Sequence, residues 1–191
     1  MMKPKIVVFA GPNGSGKSTI TSKVVTSGKY INADNIKKSM GMTDIDAAVE
    51  AERQRECELS ALRNFSFETV LSTERNLGLL CRAKDAGYFI RGYYVITCDP
   101  IINILRVQNR AALGGHDVPQ DKITQRYHRA IKLLPQFIDV CDICSIYDNS
   151  DSIFRIYKKH HGDIVQSNKY WSIEDIVKLI NGKWTPTEQT S

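Results

Sequence analysis

Long apolar runs are missing from this chain of 191 residues. A membrane-spanning helix needs about 20 consecutive apolar residues, and the stretch Ile6–Ala10 runs straight into glycine. No apolar segment with a small-residue cleavage site follows the first lysines, so a cytoplasmic protein is expected. Cysteine is scarce and odd in number: Cys57, Cys81, Cys98, Cys141 and Cys144. A disulfide framework is therefore not expected. Cys141 and Cys144 have C-x-x-C spacing, but no second pair exists, and His160-His161 lack the spacing that faces one ligand. Ordinary buried or half-buried thiols are expected. Repeats and low-complexity segments are also absent, as is a guanine-reading N-K-x-D; Asn168-Lys169-Tyr170-Trp171 fails at its fourth position.

What is present is globular: 42% hydrophobic, 25% charged. The length fits one domain over 1–191. A net charge of +5 admits nucleic acid, a membrane surface or a phosphorylated small molecule as partner. Lys5–Ala10 reads as a buried strand, followed by a glycine-rich break and a helix over Lys17–Ser27. Tyr30–Asp34, Phe65–Leu71, Tyr88–Thr97, Asp142–Asp148 and Ile153–Lys158 read as further strands. Helices are expected over Asp44–Asn64, with Ile45, Val49 and Leu59 as its apolar stripe, and over Asn76–Ala86, Ile101–Leu113 and Ser172–Ile180. A basic helix over Pro119–Phe137 is expected to break near Pro135. The tail Thr185–Ser191 is polar and expected to fray. Alternating strands and helices imply an α/β fold around a mainly parallel sheet.

One motif carries strong chemistry. Gly11-Pro12-Asn13-Gly14-Ser15-Gly16-Lys17-Ser18 satisfies G-x-x-x-x-G-K-[ST], with a strand before it and a helix after it. Glycines let backbone N–H groups converge on phosphate oxygens, and the helix presents its positive end to the anion. Lys17 is placed to reach the terminal phosphates and Ser18 to ligate Mg²⁺, which points to ATP and Mg²⁺ as cofactors. The alternative is a glycine-rich turn with a chance Lys-Ser.

Downstream, Arg106, Arg110, Lys122, Arg126, Arg129 and Lys132 face only Asp117 and Asp121. Arg106 and Arg110 share a helix face, as do Arg126 and Arg129, and Gly114-Gly115 between them makes a hinge-like break. Such a segment, about 103–134, suits an arginine-bearing lid over a transferred phosphoryl group. A solvated basic face and an RNA-binding face are the competing readings; Tyr127 and Phe137 are too few for a stacking platform. Asp34, at the end of the second strand, is placed to take a proton from an attacking hydroxyl, or else it caps the helix beginning near Asn35. Glu68-Thr69 ends the third strand at the same edge, where Glu68 would bind substrate hydroxyls or help hold Mg²⁺. Asp99 is either a Walker B carboxylate or a helix cap before Pro100. Residues 1–38 carry seven Lys and one Asp, whereas 44–63 carry six acids and three arginines. The positive charge is gathered where a triphosphate would sit, which disfavours nucleic acid or membrane as the partner.

These residues together resemble the zeta-toxin family of P-loop kinases in its short, predicted-ATPase-like branch. The matching pieces are Val8–Thr19, Asn32-Ala33-Asp34, Phe67–Ser72, Ala86-Gly87-Tyr88, Gly114–Pro119, Arg126-Tyr127 and Tyr147–Ser150, in order over about 1–150. The resemblance implies a P-loop NTPase (kinase-like) three-layer fold with a helical lid. It implies an ATP- and Mg²⁺-dependent kinase that phosphorylates a hydroxyl of UDP-N-acetylglucosamine or a similar nucleotide sugar, acting as the toxin of a toxin–antitoxin pair with a small antitoxin partner. Carried over, Gly11 through Thr19 bind the nucleotide, Lys17 and Ser18 keep their roles, and Asp34 is the general base. Glu68 and Thr69 contact substrate; Arg110 and Arg126 are the lid arginines, with Arg129 on the nucleotide. The family's arginine shortly after this Glu is missing from Thr69-Val70-Leu71-Ser72, which leaves Arg75 as the nearest candidate on the acceptor side. The runner-up readings are a polynucleotide or other small-molecule kinase and a nucleotide-regulated binding module. Residues 151–182, a strand and a helix, complete the sheet, cover the core or form a partner surface.

Overall fold

The structure, a computed structural model, describes residues 3–115 and 117–186; His116 and the last residues of the polar tail, from Thr187 on, lie outside them. Strand β1 (Lys5–Ala10) is the centre of the fold. Ile6, Val8 and Ala10 join the main core, while Val7 and Phe9 enter a second cluster with Ile20 and Val95. A strand buried on both faces has to be apolar at every position, which is why KIVVFA does not alternate. Around it run β2 (Lys29–Ile31), β3 (Phe65–Thr69), β4 (Phe89–Ile96) and β5 (Ile143–Asp148), all parallel, then antiparallel β6 (Phe154–Lys159) and β7 (Asp163–Val165). The sheet order is β2-β3-β1-β4-β5-β6-β7. Ala10 lies opposite Thr69 and Tyr94, and Tyr94 opposite Ile146. The register therefore brings Gly11, Val70, Thr97 and Asn149 to one carboxyl edge, the edge where open α/β sheets bind ligands.

The helices are α1 (Lys17–Thr21), α2 (Ala33–Met40), α3 (Asp44–Ser60), α4 (Arg75–Asp85), α5 (Pro100–Ala112), α6 (Gln120–Val140) and α7 (Ile173–Ile180). Several differ from expectation for physical reasons. Helix α1 stops at Thr21, well short of Ser27. The β-branched Val24-Val25-Thr26 follow it, and Ser66 Oγ both accepts from Ser27 N (2.7 Å) and donates to Ser27 O (2.9 Å). Strand β2 ends at Ile31 because Asn32 caps α2: its side chain accepts from Asp34 N and Asn35 N. Asn32 therefore has the cap role, and Asp34 falls in the first helical turn. In α3 the buried positions are Ala47, Ala51, Arg55, Glu58 and Leu59, so Ile45 and Val49, half a turn away, are 76% and 58% exposed. The expected stripe holds only at Leu59.

Pro135 does not break α6, which continues to Val140. Its C-terminal carbonyls are bound by Lys159 Nζ, which donates to Ile138 O (2.8 Å), Asp139 O (3.1 Å) and Cys141 O (2.9 Å). A cation at a helix C-terminus meets both the free carbonyls and the negative end of the dipole. Strand β7 is too short for periodicity to reveal. With β6 it completes the sheet, while α7 packs Ile176 and Leu179 into the main core. Cys141 and Cys144 are buried, but Cys57 and Cys81 are exposed. Among the described residues, no helix is long and apolar enough to cross a membrane.

Lys159→Met keeps the apolar stem and removes the ammonium. Urea unfolding should show a loss of about 1–3 kcal/mol, the scale of charged hydrogen bonds; Ile45→Ser should stay within about 0.5 kcal/mol. Equal midpoints for both variants would contradict this account of the α6 end.

Candidate active site at the carboxyl edge of the sheet

The loop 11–16 leaves β1 and turns back into α1. Gly14 (φ 76°) and Gly16 (φ 93°) take left-handed conformations that favour glycine. They are also sterically required: a Cβ on Gly14 would lie 2.5 Å from Asn103 O, and one on Gly16 2.1 Å from Asn149 Nδ2. Few loop amides are spent on the protein itself. Gly11 N donates to Thr69 O, Ser15 N to Pro12 O and Thr19 N to Gly16 O. Among the described residues, the N–H groups of Asn13, Gly14, Gly16, Lys17 and Ser18 have no protein acceptor. The buried Ser15 hydroxyl likewise lacks a partner. Unclaimed amides at a helix start, lined by glycine, form an anion cradle, and this fits a nucleotide phosphate chain.

Lys17 Nζ donates to Gly11 O (2.8 Å) and Pro12 O (3.0 Å), folding over the loop. Burial lowers its pKa to about 8; Glu68 and Asp34 pull it up, and Arg110 pushes it down. Those named groups therefore lie in the electrostatic field of Lys17. Glu68 is fixed from two elements: Oε1 accepts from Thr21 Oγ1 (2.9 Å) and Tyr30 Oη (2.6 Å). Burial first, then this bond, raises the Tyr30 phenol well above its ordinary value. Glu68 Oε2 keeps no protein donor among the described residues. Asp34 is exposed at the positive end of α2. Ser18 and Thr19 are exposed in the first turn of α1. No group of three or more metal-ligating side chains occurs among the described residues.

The arginines divide by role. Arg126 Nη1 of α6 donates to Asn13 Oδ1 (3.3 Å), which brings the second basic helix onto the loop. Arg129 is exposed one turn further along. Arg106 is spent on backbone: Nη1 donates to Asn149 O (2.7 Å) and Nη2 to Ser150 O (3.3 Å). Arg75 pairs with Glu52 of α3 at 2.9 Å on the surface. The Thr69 hydroxyl is buried and accepts from Leu71 N (2.9 Å) and Asn76 Nδ2 (2.8 Å). Asp99 caps α5, accepting from Ile101 N (2.7 Å). Direct contacts bring Lys17 and Arg126 onto the loop and tie Glu68 to Thr21 of α1, Asp34 and Arg110 act on the charge of Lys17, and Arg75 and Thr69 have partners of their own. Sequence reasoning missed Asn103, Asn149, Tyr30 and Thr21. Only Asn149, inside the Tyr147–Ser150 match, left a signal.

The depressed Lys17 pKa has a sign that can be measured. Phosphate oxygens favour the ammonium, so a bound triphosphate raises the pKa above about 8. Below that pH Lys17 is protonated in both states and adds no pH dependence to binding. Above it, binding of ATP, whose own phosphates are then fully ionised, should take up protons and weaken as pH rises. Calorimetry at pH 9 in two buffers of different ionisation enthalpy should detect the uptake; Lys17→Met should abolish it. A wild-type protein that takes up no proton would contradict this placement of Lys17.

No protein-family model matches the chain. An uncharacterized protein of Haemophilus influenzae is 27% identical over 133 residues, covering 66% of this chain and 95% of that protein. Among solved structures, a chain of the PezAT chromosomal toxin–antitoxin system of Streptococcus pneumoniae superposes with a TM-score of 0.60 at 16% identity, over 98% of this chain and 82% of its own. The AvrRxo1-ORF1:-ORF2 structure with ATP reaches 0.75 at 13% identity over 99% of this chain, which spans 66% of that one. A chain of the Pnkp1/Rnl/Hen1 RNA repair complex reaches 0.55 at 16% identity over 68% of this chain and 45% of its own. With the mainly parallel sheet and the glycine-rich loop after its central strand, these superpositions show the fold of this chain, an α/β P-loop fold shared with those proteins.

Proposed function

We propose that the protein is a cytoplasmic, ATP-dependent kinase that transfers a phosphoryl group to a hydroxyl of a nucleotide sugar such as UDP-N-acetylglucosamine, as the toxin of a toxin–antitoxin pair. The observation that carries this reading is the facing of two chemistries: unclaimed amides and Lys17 on one side, the Asp34 and Glu68 carboxylates on the other. Similarity in fold to the AvrRxo1-ORF1:-ORF2 structure with ATP supports the nucleotide, and similarity to a chain of the PezAT toxin–antitoxin system supports an antitoxin partner.

In this reading the amides of Asn13, Gly14, Gly16, Lys17 and Ser18, with the Lys17 side chain, hold the β- and γ-phosphates. Arg110 and Arg126, with Arg129 beside them, neutralise charge that spreads over the equatorial oxygens during transfer. Ser18 Oγ and the phosphates would hold Mg²⁺, which supplies further charge neutralisation when bound. Asp34, exposed at the strand edge, takes the proton from the acceptor hydroxyl as its oxygen attacks the γ-phosphorus and the bond to the β-phosphate oxygen breaks. Glu68, held rigid through Oε1, offers Oε2 to an acceptor hydroxyl. Thr69 borders the same edge, and Arg75 would have to leave Glu52 to touch the acceptor.

Incubation with ATP, Mg²⁺ and a panel of UDP-sugars, read by mass spectrometry, tests the reading. One sugar should gain a phosphate, and Asp34→Asn should lower kcat by about 10²–10⁴-fold while ATP affinity is kept. No phosphorylated sugar, or an unchanged rate in Asp34→Asn, would overturn it. The fold similarity to a chain of an RNA repair complex favours 5′-hydroxyl oligonucleotides as the second acceptor class. Binding that weakens steeply with salt would accompany that outcome.

A further inference from the structure

We propose that Asn103 and Asn149, with Arg106 behind Asn149, are positioning residues that hold the carbonyls of the phosphate loop outward so that its amides face the phosphates. The proposal rests on the phosphate-binding reading of the loop and adds to it what holds the loop in shape.

Consecutive N–H groups can converge on an anion only if the intervening carbonyls turn away, and buried carbonyls need donors. In this loop, local contacts satisfy some of them: Ser15 N donates to Pro12 O and Thr19 N to Gly16 O. Lys17 Nζ covers Gly11 O and Pro12 O, but in the kinase reading it moves to the phosphates. Of the three carbonyls between, those of Asn13 and Ser15 are held from a distance. Asn103 Nδ2 donates to Asn13 O at 2.6 Å across 90 residues, and Asn149 Nδ2 donates to Ser15 O at 2.8 Å across 134. Neither partner depends on Lys17, so both survive the arrival of a ligand.

Each amide is locked by a second contact. Asn103 is fully buried, and its Oδ1 accepts from the Thr97 hydroxyl, which fixes Nδ2 toward the loop. Asn149 donates its N–H to Ile96 O (2.8 Å), while Arg106 grips its carbonyl and that of Ser150. Ser150 Oγ in turn donates to Asp148 Oδ1 (2.5 Å) and accepts from Cys98 N (2.8 Å). Asn103 and Arg106 are three residues apart on α5, so one helix face serves both ends of the loop. This assigns Arg106 to the scaffold and removes it from the phosphate-binding arginines. The close approach also explains the glycines, since a Cβ at Gly14 or Gly16 would collide with Asn103 or Asn149.

The test is calorimetric binding of Mg-ATP and, separately, of inorganic tripolyphosphate with Mg²⁺, alongside thermal melting. Asn103→Ala and Asn149→Ala should each weaken both ligands by the same factor, about tenfold. Because Arg106 acts through Asn149, Arg106→Gln should weaken both ligands alone and add nothing to Asn149→Ala. A residue that only supported the fold would lower the melting temperature and leave the affinity of the folded protein unchanged. Asn149→Asp, which keeps the shape and loses the donor, carries the test if Asn149→Ala does not fold. Wild-type affinity in the folded variants overturns the proposal, as does a loss confined to ATP, which would place these residues on the nucleoside. Wild-type protein that binds neither ligand overturns the phosphate-loop reading itself, an outcome distinct from the other two.

Discussion

Backbone amides bind an anion only where the protein has not already claimed them. The loop between β1 and α1 meets that condition, and much of the fold serves to maintain it. Amides left without acceptors are unfavourable in a folded chain. Here they persist because glycine geometry, the start of α1 and the carbonyl partners on α5 and just past β5 prevent the loop from relaxing onto itself. Lys17 shows the same tension. Burial disfavours its charge, and in the free protein it is tethered to the Gly11 and Pro12 carbonyls. A bound phosphate chain would relieve both costs at once.

Sheet order places the complementary chemistry. With β3 beside β1 and β2 beyond it, Glu68 and Asp34 stand on one side of the loop; β4 and β5 put Thr97 and Asn149 on the other. The parallel register brings every strand's carboxyl end to the same edge, so residues far apart in sequence meet without long side chains. Only part of the positive charge follows this geography: Lys17 and Arg126 reach the loop, whereas Lys5 and Lys29 open β1 and β2 at the opposite edge of the sheet and Lys37 pairs with Asp44. Helix α3 is acidic, and its Glu52 pairs with Arg75 of α4.

Local signals were legible in the sequence. The loop and β1 rest on short-range patterns, and the structure has them where the patterns put them; at Asp99 the pattern left two readings, and the structure has the cap. The remaining elements depend on partners the sequence does not display. Ile45 and Val49 look apolar and regular, yet helix phase is set by Ala47 and Ala51 packing on the core. Pro135 reads as a breaker until Lys159, from a later strand, binds the helix end. Asn103 lies in an apolar helical run, and its function exists only because α5 crosses the loop 90 residues away. The cap of α2 is Asn32, where the sequence offered Asp34, because the Asn32 side chain accepts the first free amides.

The most direct test of the central claim is the backbone amide spectrum of the loop in ¹⁵N-labelled protein during titration with Mg-ATP. Amides that begin to donate to phosphate oxygens move downfield, so Asn13, Gly14, Gly16, Lys17 and Ser18 should shift together and saturate with one affinity, while Ser15 and Thr19, which already have acceptors, move less. Saturable binding that leaves those five amides unmoved would contradict the account, because the nucleotide would then sit somewhere other than this loop.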